Sequence, residues 1–278
     1  MSHSRLATLA CLLLAAALQP AHAADDFFTG AAQTPSPITD VFALQAIFLH
    51  ASDKTDLRVD PPGTPLGGTS LSGTRDLGFR ATGNDGMLDL LFRLRERNRI
   101  SVDFLQLNES GSSTLGHPVV FGSQVFNTGD VLDSALQWRV MGVTWTYAFI
   151  QNDRFELGAG LGVHLMDLDI RGDVPARFAS YETSKAGALP APALEAAWRV
   201  TRRISLTARG QYLRAAINGT SGSLGDFHAD AQYRWLPNLS LGAGYSLMQL
   251  HLDSIGHGTP GLVGIRVGGP EVFVRVSF

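Results

Sequence analysis

Fourteen charged residues fall at the same parity as the small and polar positions of alternating stretches, and they frame the chemistry this chain could do. Seven are carboxylates: Asp89, Asp103, Glu156, Glu195, Asp226, Asp230 and Glu271. Seven are guanidiniums: Arg93, Arg95, Arg199, Arg203, Arg209, Arg234 and Arg275. Two uses suit such a balanced set. The groups pair into a network that fills an interior, because a buried ion without a partner costs several kcal/mol. Or they ring a polar constriction that admits small solutes. Arginine far outnumbers lysine here, and its planar fork matches a carboxylate in two places, which favours the network.

Other chemistries find less support. A hydrolase would need a nucleophile beside a base, with a third group to orient it. The histidines available are His50, His117, His164, His228, His251 and His257; His164 and Ser246 share the inward parity. No nucleophile elbow and no HExxH spacing accompanies them, so no catalytic residue is assigned. Asp167, Asp169 and Asp173 have a spacing that can contact Ca²⁺, or divalent ions bridging lipopolysaccharide, but solvation of a loop is the plainer reading. No calcium-hand pattern follows them, and no metal site and no cofactor is assigned.

The elements that position these residues are strands. In 154–166 one set reads Phe155, Leu157, Ala159, Leu161, Val163, Leu165, and the other Glu156, Gly158, Gly160, Gly162, His164, Met166. A strand sends two such sets to opposite faces. The pattern recurs in 203–213, 225–235 and 239–247. The alternating segments expected as strands are 41–51, 69–80, 87–96, 99–109, 119–126, 131–149, 154–170, 188–200, 203–216, 223–235, 239–252 and 263–277. That makes twelve. Ten is the alternative, with 69–80 and 119–126 as hairpin arms outside the barrel. Segment 131–149 changes phase: Leu136 and Trp138 share one face, whereas Met141, Val143, Trp145 and Tyr147 take the other. A β-bulge near Arg139 is expected to reconcile them.

Links alternate in length. Short ones follow aromatic strand ends at 151–153, 201–202 and 236–238, and longer ones fall at 172–187, 218–224 and 254–261. Glycine numbers 30 and proline 13, a composition of strands and turns. No apolar stretch after residue 24 is long enough for a membrane helix. A membrane protein of this kind spans with strands closed into a barrel, because lipid offers no partner to an open sheet edge.

The N-terminus sets the compartment. Arg5 precedes an apolar run from Leu6 to Leu18, and Ala21-His22-Ala23 fits a small-x-small cleavage site. Residues 1–23 are expected to be a signal peptide, 24–40 a short periplasmic linker, and 41–278 the barrel. The single cysteine, Cys11, lies in the segment to be removed. Formal net charge is −3, and no basic stripe suggests nucleic acid.

The chain ends Val272-Phe273-Val274-Arg275-Val276-Ser277-Phe278, with Val272, Val274 and Val276 on the face of Phe278. This resembles the terminal strand of Gram-negative outer-membrane β-barrel proteins. The resemblance implies recognition by the barrel-assembly machinery. Gly68-Thr69-Ser70-Leu71, Arg75-Asp76-Leu77-Gly78-Phe79, Leu189-Pro190-Ala191-Pro192 and Gly269-Pro270-Glu271 further resemble features of an uncharacterised group of proteobacterial barrels. That likeness brings a fold and no activity. The expected fold is all-β, a closed antiparallel up-and-down transmembrane barrel in the bacterial outer membrane. Its expected surroundings are outer-membrane lipid and lipopolysaccharide. The leading function is a narrow pore or a structural barrel with a charged lumen. The alternatives are a lipid A- or phospholipid-modifying enzyme and a protein that binds partners through surface loops.

Overall fold

The computed structural model describes residues 36–61, 66–177, 179–217, 220–254 and 261–278. The expected signal peptide, most of the linker and His257 lie outside the described residues. In chain order the strands are β1 (Phe42–Val59), β2 (Leu71–Ser72), β3 (Thr82–Leu94), β4 (Asn98–Thr114), β5 (Val119–Phe121), β6 (Gln124–Phe126) and β7 (Val131–Gln151). They continue with β8 (Phe155–Val174), β9 (Ala179–Arg199), β10 (Ile204–Ile217), β11 (Thr220–Leu236), β12 (Leu239–Ser254) and β13 (Gly261–Ser277).

Ten of these form one antiparallel sheet in the order β13-β12-β11-β10-β9-β8-β7-β4-β3-β1, and β13 pairs back onto β1. The closing register runs from Ala43 opposite Ser277 to Val59 opposite Gly261. The barrel therefore has the smaller of the two strand numbers read from the sequence. Segments 69–80 and 119–126 supply β2 and the β5–β6 hairpin, which lie outside the ring. Both ends of the ring meet at the short-turn rim, where the Phe42 and Phe278 backbones exchange hydrogen bonds.

The strands are long. A 21-residue strand such as β7 spans roughly 70 Å at about 3.4 Å per residue, and a tilted strand crosses hydrocarbon in about 9–11 residues. The exterior shows where the crossing is. On β7 the outward side chains Met141, Val143, Trp145 and Tyr147 are exposed and apolar, whereas Arg139 and Asp133 further along are exposed and polar. On β8 the change falls between Leu165 and Asp167, and on β1 between Phe48 and His50. An apolar belt thus encircles the half near the termini, and the far half has a water-compatible exterior.

The interior inverts at the same level. Beside the belt it is polar; in the far half it holds Leu49, Leu57, Leu105, Leu107, Leu136, Trp138 and Ile170, all under 5% exposed. Such an arrangement follows from the surroundings. A wall in lipid turns its apolar side chains outward, and a wall in water turns them inward onto a core.

This inversion corrects the bulge expected near Arg139. Strand β7 keeps one phase from Val131 to Ala148 and pairs with β4 without a shift; the irregularity lies between Ala148 and Ile150. The apparent change of phase is a change of solvent. For the same reason β8 and β9 run on to Val174 and from Ala179, through most of the segment expected as a loop at 172–187.

Candidate functional site

The barrel interior is built in four layers. The floor, at the short-turn rim, is made by residues 36–40. Arg93 and Arg99 each donate to the Pro37 carbonyl, at 3.2 and 3.1 Å. Arg234 grips both oxygens of the Asp40 carboxylate at 3.1 and 2.9 Å, and Arg275 stands 3.6 Å from it. Above them Glu156 accepts from Arg93 at 2.9 Å and pairs with Arg99 at 2.6 Å. Arg99 also binds Glu195, which accepts from Thr146 at 3.1 Å. The carboxylates here are each met by guanidinium donors, which is what makes their burial tolerable, while Arg99 Nε and Arg275 Nε and Nη2 have no hydrogen-bond partner.

The second layer is a polar chamber at belt height. A cavity of about 60 Å³ lies among Gln45, Asp89, Thr207, Arg209, His228 and Asp230, room for a few ordered waters. Arg209 pairs with Asp89 at 3.1 Å, His228 Nε2 meets Asp226 at 2.8 Å, and Thr207 donates to Asp230 at 2.7 Å. On the chamber's far side Asp103, His164 and Asp226 are fully buried, and one ligating atom of each lies within 4.8 Å of the others. Glu271 is buried and faces His228 at 4.0 Å.

The third layer is the apolar core of the far half. The fourth is a cap: Leu71, Leu77, Phe79, Val119, Phe121 and Phe126 are buried over that core, and the Phe121 ring stands edge-on to Tyr181 at 5.1 Å. Gly122 at the hairpin tip has φ +59°, and a Cβ there would meet the Tyr181 ring at 2.4 Å, so the hairpin needs glycine to seat against β9.

Most of the charged residues selected from parity sit on this inner face: Asp89, Arg93, Asp103, Glu156, Glu195, Arg209, Asp226, Asp230, Arg234, Glu271 and Arg275. Arg199 is half-buried at the short-turn end of β9. Two residues lie elsewhere. Arg95 is exposed with φ +62°, because β3 ends at Leu94 and the chain turns there in a left-handed conformation. Arg203 is exposed in the turn before β10, where it donates to the Tyr233 hydroxyl at 3.0 Å. Arg99 and Asp40 were missed. Arg99 shares the parity of Asp103 on the same strand, so the signal was present; Asp40 belongs to a segment without alternation.

Removal of Arg95 and Arg203 and addition of Arg99 and Asp40 turn seven against seven into eight carboxylates against six guanidiniums. Among the described residues the cavity is lined by the carboxylates Asp89, Glu195, Asp230 and Glu271 and the guanidiniums Arg99, Arg209 and Arg275, and Asp103 and Asp226 add two more carboxylates beside it.

The histidine and acidic patterns resolve differently. His164 hydrogen-bonds Gln211 and His228 hydrogen-bonds Asp226, so neither is paired with a serine nucleophile. Asp167 and Asp169 share Arg139 on the water-facing exterior, just beyond the belt. Val272, Val274 and Val276 face outward on β13, and Phe278, just after it, is exposed.

A separate acidic group lies inside the far half, beyond the belt. Asp53, Asp85 and Glu109 surround Gly83; a Cβ there would be 3.1, 3.9 and 4.0 Å from their carboxylate oxygens. Burial, then the like charges of Asp85 and Glu109, push the Asp53 carboxyl up to about 7. Burial raises Asp85 and Glu109 as well. The folded state therefore keeps a proton on Asp53 that the unfolded chain gives up near its ordinary value of 3.8. Its contribution is most favourable below that value and is lost as pH rises through about 7. Asp53→Asn is expected to raise stability at about pH 8 and to flatten the decline between about pH 4 and pH 7, read by urea unfolding in vesicles. An unchanged slope would show that Asp53 ionises normally.

No protein-family model and no curated protein matches the chain. Solved structures do. The outer-membrane protease OmpT from Escherichia coli superimposes with a TM-score of 0.57 over 88% of this chain and 100% of that one, at 9% identity. Neisserial surface protein A covers 85% of this chain and 97% of its own at 15% identity, with a TM-score of 0.35. The transport unit of the autotransporter AIDA-I from E. coli covers 92% and 95% at 9% identity, with a TM-score of 0.41. Only the first overlay is close enough to bear on architecture, and at its identity the likeness is one of fold; proteolysis belongs to OmpT. The chain is a closed antiparallel β-barrel of the outer-membrane type.

Proposed function

We propose that the protein is a sealed structural barrel of the bacterial outer membrane, exported by its N-terminal segment, with the termini in the periplasm and the far half projecting from the cell. The observation that carries this reading is the continuous filling of the interior. A floor of arginine–carboxylate pairs, a chamber of about 60 Å³, an apolar core and a capping hairpin follow one another along the axis. A solute passing through would have to cross charged and dry layers in series, and either obstructs the other's traffic.

Of the two arms of the earlier expectation, pore and structural barrel, this supports the second. The charged interior then serves to hold the wall together. The belt faces outer-membrane lipid, and the water-facing half stands at the level of lipopolysaccharide sugars. Delivery by the barrel-assembly machinery, reading Val272, Val274, Val276 and Phe278, is part of the same proposal.

The test is single-channel recording from purified, refolded mature protein in planar bilayers. Silence from protein shown to be folded by heat-modifiable gel migration is the expected result. Reproducible conductance steps that change in Arg209→Ala would overturn the sealed reading and restore the pore.

A further inference from the structure

We propose that Asp103, His164 and Asp226 form a binding site for a divalent transition-metal ion of the zinc class, inside the barrel at the height of the membrane belt. The site is assembled from three strands by register. Asp103 on β4 lies opposite Gly142 on β7, and Gly142 lies opposite His164 on β8, so the three occupy one row across the wall. Glycine in the middle is what lets the outer two approach. A Cβ on Gly142 would stand 2.4 and 2.5 Å from the Asp103 carboxylate oxygens. Asp226 reaches the same point from β11 on another part of the wall, and one ligating atom of each residue lies within 4.8 Å of the others.

The hydrogen bonds prepare the histidine as a ligand. Gln211 donates through Nε2 to Thr144 Oγ1 at 3.1 Å, which leaves its Oε1 to accept from His164 Nε2, also at 3.1 Å. With its proton on Nε2, the ring carries a lone pair on Nδ1. This is the support that metal-binding imidazoles use: the second nitrogen donates to a fixed acceptor, which sets tautomer and ring plane. Gly162 makes room for that support, since a Cβ there would lie 2.1 Å from Gln211 Oε1.

Three acceptor atoms are left with no donor. Asp103 Oδ1, His164 Nδ1 and Asp226 Oδ2 are each buried without a hydrogen-bond partner, while Asp226 Oδ1 is engaged by His228 at 2.8 Å. Buried acceptors without donors carry a desolvation cost that a cation held between them relieves. Of the three guanidiniums lining the chamber, Arg99 is paired with Glu156 and Glu195 and Arg275 stands by Asp40, and Arg209 is paired with Asp89. One imidazole and two carboxylates suit Zn²⁺, leaving one tetrahedral position for water, and the nitrogen ligand places Zn²⁺ above Mn²⁺.

The alternative is a metal-free cluster in which His164 holds a second proton on Nδ1. Mature protein refolded with zinc chloride, desalted and shown to be folded by heat-modifiable migration separates the two by metal counting. About one Zn²⁺ per chain is expected, with at least about a tenfold loss in Asp103→Asn and Asp226→Asn. Gln211→Leu, which removes only the support, is expected to weaken the zinc Kd by about 10–100-fold. Cobalt in place of zinc should give a visible absorption band in the wild type that is lost in His164→Gln. Folded wild type that carries no zinc would overturn the proposal, and so would equal loading of wild type and Asp103→Asn. Conductance is measured separately and does not enter the count, so a leaky barrel and an absent metal site are distinguishable.

Discussion

Replacement of Arg99 by alanine is expected to destabilise the folded barrel by about 3–5 kcal/mol. Arg99 is 4% exposed and lies between two carboxylates, 2.6 Å from Glu156 and in contact with Glu195. Its removal leaves Glu195 with Thr146 alone and forces Arg93 to hold Glu156 unaided. The cost arises from stranding charge in a dry interior more than from the lost attraction, so the remedy is specific. Adding Glu195→Gln to Arg99→Ala should recover a large part of the loss, since the neutral amide no longer requires a cation. Urea unfolding in lipid vesicles, followed by gel migration, reads both. Equal loss in single and double variants would mean that Arg99 acts through packing.

The second large effect concerns the far half. Trp138→Ala is expected to cost about 3–5 kcal/mol, as for an aromatic side chain removed from a packed core. Trp138 is 0% exposed inside β7, although Trp145, seven residues on, is 46% exposed on the same strand's lipid face. Both are tryptophans on one strand, and a barrel that was apolar outside along its whole length would turn both to lipid. Trp145→Ala should cost clearly less, and its fluorescence should be quenched by brominated lipid while that of Trp138 is not. Comparable quenching of both would place Trp138 in the bilayer.

The comparison of these two residues also shows how much could be read from the sequence. Alternation located the barrel strands because lipid or core on one side and polar groups on the other leave a period of two. It could not say which face was which, since the same period describes both halves. Leu136 and Trp138 were visible as out of phase with Met141 and Val143, but a bulge and a change of solvent give the same letters. Only closure of the sheet, with β7 in unbroken register against β4, separates them.

The interior charges were legible where they sat in mid-strand. Arg95 and Arg203 were misplaced because strand ends depend on turn geometry, which their neighbours barely encode. Asp40 was hidden for another reason. It lies in a segment with no periodicity, and its role comes from contacts with Arg234 and Arg275 nearly two hundred residues or more away. The row Asp103–Gly142–His164 was equally out of reach, because it depends on pairing register between three strands.

The central claim is that the barrel is immersed over only its terminal half. The most direct test is a spin-label scan of the outward positions of β7, one single-cysteine variant at each odd residue from 131 to 149. Cys11 is the sole native cysteine, and protein prepared from residue 24 onward lacks it, so each label reports alone. Labels at 141, 143, 145 and 147 should collide with oxygen dissolved in lipid, and labels at 131, 133, 137 and 139 with a water-soluble nickel reagent. A lipid signature extending through 139 and 137 would contradict the account.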